Sequence, residues 1–290
     1  PGLYDAALPI GALAQGLERY NATLLSYALA YDAAFGWLGS WGSAACVRSG
    51  IDFRDDVWFA KMQAELYHAA YPANAARWEF IRMVSALPLG GFYAASGPAD
   101  APPAVITLMA AATERRAELQ SRAGGCVSQN AGYVYTLSEE QKTHLARLDP
   151  SLDIEAMLAA MSRRTEPRAD PWALAYTDRY GEFTGRPLGP VLMAHNVEDP
   201  IAPVEGTAEY AQLIGATRKE RLFTRAYSSV PGHCAFTPEQ LMSLFAALDG
   251  WLATGAAPTE EAFPEELGFV HGFRPRRWPQ PNGHGAGELT

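Results

Sequence analysis

Three cysteines in 290 residues are too few for a disulfide-built scaffold, so the fold must rest on a hydrophobic core. Cys46, Cys126 and Cys234 form an odd set. Either all three are reduced, or one pair bonds and the third stays free or joins another chain; spacing does not choose between these. No apolar run approaches the roughly 20 residues of a membrane-crossing helix. Basic residues are outnumbered, 23 Lys and Arg against 32 Asp and Glu, for a net charge of −9. That balance leaves no electrostatic footprint for nucleic acid or for an anionic membrane. No secretory signal pattern is visible. The sequence opens on Pro1, which is read as a cut precursor or as an upstream segment lying outside it. There is no internal repeat and no low-complexity tract.

What is present is 48% hydrophobic and 19% charged, ordinary for a globular chain of one or two domains with a sizeable core. Leu3 to Gly11 has the composition of a short strand ending in a glycine turn. Leu13 to Ala34 carries Leu17, Tyr20, Leu24 and Tyr27 at helical spacing. Further helices are expected over 55–70, 75–87, 104–123, 138–147, 153–163 and 172–180. Breaks are expected at Tyr71-Pro72-Ala73-Asn74, at Ser96-Gly97-Pro98 and from Gly124 to Asn130. After Gly185 the pattern changes to strand, helix, strand, helix. Val204 to Leu213 would be the crossover. The last helix has Thr237 as N-cap, Pro238 as its first residue, Gln240 as capping-box partner and Gly255 at its end. From Pro258 the chain is rich in Pro, Gly and charge and reads as a tail packing over a surface.

Two residues carry the candidate chemistry. Asp199 lies in the acidic turn that ends the apolar stretch starting at Pro190, and His233 follows the strand Leu222 to Tyr227. A parallel strand–helix–strand unit sends both loops to the same crevice. Their 34-residue separation leaves room for one helix and one strand between them. Asp199 could hold one ring nitrogen of His233 while the other moves a proton between a hydroxyl and a leaving group. Each residue also has an ordinary reading. Asp before Pro is common in turns because its side chain bonds nearby backbone, and Gly-His is common in loops. Glu198 is the rival acid. His195 reads as a packed strand residue, His68 and His144 as surface or core, and His271 and His284 as tail residues. His195, Asp199 and His233 lack the tight spacing of a metal site, so no metal and no cofactor are expected. The aromatic residues Trp37, Trp41, Trp58, Trp78, Phe92 and Tyr93 read mainly as core, with a minority available to line an apolar tunnel.

The third member of such a set is missing. A nucleophilic serine belongs on a sharp Gly-x-Ser-x-Gly turn between strand and helix, and no serine here stands in one. Ser40 has Leu38 two residues before it and Ser43 has Trp41. Gly124-Gly125-Cys126-Val127-Ser128 lacks the second glycine and a leading strand.

Three stretches carry a family resemblance: Tyr4 to Gly11 with Tyr20-Asn21 and Tyr31 to Phe35, then Cys126 to Tyr135, then Gly189 to Gly255. With these, residues 1 to 258 resemble the α/β-hydrolase superfamily, in particular bacterial hydrolases with a helical cap between the sixth and seventh strands. The resemblance implies an α/β fold: the C-terminal part of an α/β-hydrolase sheet with a large helical cap insertion. Residues 1–13 would be a core strand, 14–188 the cap, 189–258 the C-terminal part of the core, and 259–290 the tail. Asp199 matches the acid position, and Gly232 to Thr237 matches the histidine loop. The first five strands, the oxyanion loop and the serine elbow have no counterpart, which implies a second chain carrying the N-terminal strands and the nucleophilic Ser. A truncated form and a diverged, inactive relative are the alternatives. His233-Cys234 is similar to tannase-type and feruloyl-type esterases, in which such a cysteine bonds one beside the nucleophile; by that resemblance Cys234 would tie the two pieces together.

The expected function is a subunit or fragment of a serine hydrolase that cleaves an ester, thioester or amide with an apolar acyl group, with His233 as base and acid and Asp199 orienting it. A non-catalytic protein binding an apolar ligand on the same scaffold is the alternative, and an aspartate-nucleophile hydrolase a third. A secreted or periplasmic bacterial location is favoured over the cytoplasm.

Overall fold

The computed structural model describes residues 4–47, 61, 70–85, 108–130, 133–163, 168–199 and 201–278. The chain divides into two compact units. The helical unit lies within residues 17–182, and the other comprises 4–16 and 183–278 among the described residues.

Helix α1, Leu17–Phe35, is the centre of the helical unit. It is buried almost all round, from Tyr20 to Tyr31 without a break, because α2 (Ala70–Ser85), a π-helical turn (Ala111–Arg115), α5 (Ile154–Ser162) and α6 (Pro171–Gly181) pack around it. The π-turn runs on into α3, Arg116–Ala123. Helix α4, Glu139–Leu148, begins with a full capping box from Ser138 and Gln141. Helix α2 starts at Ala70 and runs through Tyr71 to Asn74, the stretch expected as a break. A proline is tolerated in a first helical turn, where its missing N–H would have no intrahelical partner. Tyr31, Phe35, Trp37, Trp41 and Trp78 form one aromatic cluster. Trp58, Phe92, Tyr93, the break at 96–98 and nearly all of the helix expected over 55–70 lie outside the described residues.

Cys46 and Cys126 form a disulfide with a Cα–Cα distance of 5.5 Å, and Cys234 is free and exposed. The same loop is held by buried side chains of α3. Arg116 donates to the carbonyls of Ala44 and Ala45, and Gln120 to that of Val47. Burial lowers the Arg116 pKa to about 10.

The second unit is a parallel β–α–β arrangement. Strand β1, Val191–Asn196, runs beside β2, Phe223–Ser228, in register from Val191↔Phe223 to Asn196↔Ser228. Helix α7, Gly206–Ala216, is the crossover. On the other side of β1, Ala7 to Gly11 adds a third extended segment, also parallel, through bonds such as Leu192 N–H to Ala7 O (3.0 Å) and Gly11 N–H to Ala194 O (3.1 Å). All six residues of β1 are buried, as expected of an inner parallel strand. Its Leu192 and Ala194 pack with Leu244, Leu248 and Trp251 of α8, Pro238–Thr254. Both reciprocal bonds of the Thr237–Gln240 capping box form, and Gly255 ends α8 in the left-handed conformation.

Residues beyond 258 do more than cover a surface. Phe263 and Phe269 join the core, and Phe269 bridges Ser228 at the outer edge of β2. Trp278 is buried, and its backbone N–H donates to the Glu209 carboxylate at 3.0 Å. Three apolar residues, spaced through a Pro- and charge-rich stretch, provide this docking. Residues 279–290 lie outside the described residues.

Candidate active site

Three extended segments end on one side of the sheet, at Gly11, Asn196 and Ser228. The turn after β1 carries Asp199, and the loop after β2 carries His233. The Asp199 carboxylate lies 2.9 Å (Oδ2) and 3.1 Å (Oδ1) from His233 Nδ1. Its side chain is fully buried, whereas a third of the His233 side chain is exposed. A carboxylate only accepts, so Nδ1 is the donor, and in the neutral ring Nε2 carries the lone pair. The Asp199 Oδ1 atom also accepts from the N–H groups of Ile201 (2.8 Å) and Ala202 (2.9 Å). The ordinary turn role of an Asp-Pro aspartate and the contact with histidine thus coexist in one carboxylate. The turn bonds fix its orientation, which frees the other face for the ring. Pro200 lies outside the described residues. Glu198 contributes its backbone carbonyl, which accepts from Gly232 N–H at 3.0 Å.

The His233 loop is conformationally unusual. Gly232 has φ 122° and Cys234 φ 54°, so both neighbours of His233 sit in backbone regions that L side chains rarely adopt. Gly11, at φ 59°, passes directly beneath. A β-carbon there would stand 2.7 Å from Cys234 Sγ and 3.1 Å from His233 Cε1. Only glycine lets this segment approach the imidazole so closely.

Asn196 holds the loop from the other side. Fully buried at the end of β1, its amide nitrogen donates to Val230 O (2.8 Å) and Ala235 O (2.9 Å), and its oxygen accepts from Ala235 N–H (3.1 Å). Gln240 adds a second tie, donating to Ser228 Oγ at 2.9 Å. That hydroxyl accepts from Val230 N–H at 3.2 Å. Asn196 has no sequence signal of its own. Gln240 is legible only as a helix cap, because its second role depends on a contact twelve residues away.

Among the described residues, none of the other histidines shares the Asp199 carboxylate with His233 through a hydrogen bond. His195 is fully buried, bonds the Asn196 carbonyl through Nδ1 (2.9 Å), and has its pKa lowered mainly by burial. His144 is exposed on α4. His271 bonds the Phe263 carbonyl at 2.7 Å. His68 and His284 lie outside the described residues. Burial, and then the Asp199 charge, raise the Cys234 thiol pKa. Among the described residues no cluster of His, Cys, Asp and Glu could hold a metal ion, and no helix is long and apolar enough to cross a membrane.

A cleft of about 440 Å³ lies elsewhere in this unit, lined among others by Ile214, Phe223, Arg225, Tyr227, Glu260 and Arg274. Arg225 stacks on the Phe223 and Tyr227 rings, and Arg274 pairs with Glu260. These partners are already matched to one another, and the cleft holds no acid–base pair aimed at a common point.

Among curated proteins, the chain is similar to an o-phthalyl amidase of Xanthobacter agilis, with 27% identity over 120 residues. The match spans 41% of this chain and 26% of the amidase. No protein-family model matches the chain. No solved structure matches it.

Proposed function

We propose that this chain supplies the histidine and the acid of a serine hydrolase of α/β-hydrolase type, and that it cleaves an amide. The observation that carries the reading is the buried Asp199 carboxylate, 2.9 Å from Nδ1 of a His233 whose ring reaches solvent. The partial similarity to an amidase favours an amide over an ester or thioester. Parallel strand ends converging on the pair, with a crossover helix between them, support the fold assignment.

In this reading His233 Nε2 takes the proton of a serine hydroxyl as the oxygen attacks the carbonyl. The imidazolium that forms is stabilised by Asp199 and then gives the proton to the leaving amine. The serine and oxyanion donors belong to polypeptide outside these 290 residues, which would also provide the preceding strands. The acyl group is expected to be apolar, and the helical unit is read as the cap.

The test is fluorophosphonate labelling of the protein purified from its own host. Labelling of a serine outside these 290 residues, together with a loss of about 10³-fold or more in kcat for His233→Ala, is the expected result. Retained turnover in His233→Ala would overturn the assignment. Absence of labelling in the intact protein would favour an apolar-ligand binder on the same scaffold.

A further inference from the structure

We infer that Asn196 is a positioning residue: it fixes the His233 loop so that the imidazole stays in line with Asp199. This rests on the reading of His233 and Asp199 as a catalytic pair.

The loop cannot hold its own shape. Between Val230 and Ala235 it contains one glycine at φ 122° and one non-glycine residue at φ 54°. The Cys234 conformation costs roughly 1–3 kcal/mol and persists only where surrounding structure imposes it, while that of Gly232 is open to glycine alone. Asn196 braces the loop across both, alongside the Glu198 carbonyl that accepts from Gly232 N–H. Its three bonds reach Val230, three residues before His233, and Ala235, two residues after it. Gly232 and the strained Cys234 lie inside this bracket.

The chemistry demands an amide. One side chain must present two donors to two carbonyls and an acceptor to one N–H. Aspartate keeps the acceptor but turns both carbonyl contacts repulsive. Leucine keeps the shape but offers no polar atom. Glutamine places the amide one methylene too far along. Asn196 is fully buried and its bonds to Val230 and Ala235 are part-buried, so their loss leaves polar groups only partly open to water, at a cost of up to about 1–3 kcal/mol for each one left unsatisfied.

Its place in the fold adds the second half of the argument. Asn196 ends β1, and Asp199 stands three residues later in the turn that β1 feeds. The strand is flanked on both sides and fully buried. One rigid strand end therefore positions the acid directly and the base through Asn196. The 2.9 Å contact between them is referred to β1, not to the loop.

The experiment uses the native protein with isotope-labelled histidine, comparing wild type, Asn196→Ala and Asn196→Asp. In wild type the imidazole nitrogen shifts of His233 should report a single tautomer protonated at Nδ1. The Ala235 amide should exchange slowly. In both variants kcat should fall about 10- to 100-fold with KM within about threefold. The His233 signals should become those of a mixed tautomer, and Ala235 exchange should accelerate. Turnover within about twofold of wild type would overturn the inference. So would lost turnover with unchanged His233 signals and Ala235 protection. Should neither variant fold, the wild-type protein decides: side-chain amide protons of Asn196 exchanging as fast as an exposed amide would sink the proposal. His233→Ala in the same assay separates the two claims. Retained turnover there defeats the catalytic reading, while the imidazole spectrum still judges Asn196.

Discussion

Burial raises the Glu205 carboxyl to about 7 from an ordinary value of 4.5, with the Arg276 charge opposing only in part. The consequence follows from linkage. Between these two values the folded state holds a proton that the unfolded state has released, so stability falls as pH rises from about 4.5 and the loss is complete above 7. Glu205→Gln should therefore be more stable than wild type at pH 8, on the order of 2 kcal/mol allowing for partial exposure. The gap should close toward pH 4.5. Urea unfolding at the two pH values checks this, and a constant gap would show that the carboxyl is not the cause. Asp199 shows what a single residue reveals in sequence. Its place before Pro200 marks a turn and its offset from His233 marks a candidate acid. The structure unites the two, with Oδ1 held by two backbone N–H groups. Gly11 was legible only as a turn and Asn196 not at all, since their partners lie more than 220 and 34 to 39 residues away.

At the level of elements, the legible features were those with local causes. The Thr237–Gln240 capping box and the terminal Gly255 lie within α8 and its caps, so the sequence alone displays them. Gln240 goes further by donating to Ser228 at the end of β2. Gln240→Ala should therefore cost more than Thr237→Ala. We expect about 2–3 kcal/mol for the first, which loses a cap partner and a buried bond, against about 1 kcal/mol for the second. Equal losses in denaturant unfolding would mean that the Ser228 bond contributes nothing. Helix α2 was misplaced at its start because Pro72 reads as a breaker out of context, although a first turn accepts it. The stretch after Pro258 was misread for a related reason: its average composition is that of a tail, while Phe263, Phe269 and Trp278 are buried individually.

On the scale of the whole molecule, the helical unit has a covalent tie across 80 residues, from Cys46 to Cys126. Disulfides typically contribute about 2–4 kcal/mol, somewhat less than loop-closure entropy alone gives for a loop this long. Replacing both cysteines with serine should lower the unfolding free energy of that unit by this amount. The change is read from the fluorescence of the Trp37, Trp41 and Trp78 cluster in denaturant. An unchanged midpoint would mean that Arg116 and Gln120, which hold the same loop, suffice without the disulfide.

The sequence by itself determined the order of strand, crossover helix and strand after Gly185 and the capped final helix, and it marked Asp199 and His233 as a candidate pair, because each is encoded in local spacing. It left the cysteine pairing open and gave no hint of what steadies His233. Those were decided only in three dimensions, where segments far apart in the chain meet: Cys46 with Cys126, Gly11 beneath the imidazole, and Asn196 across the loop. Contacts of this kind depend on how distant helices, strands and loops pack together, and no local pattern along the chain records that.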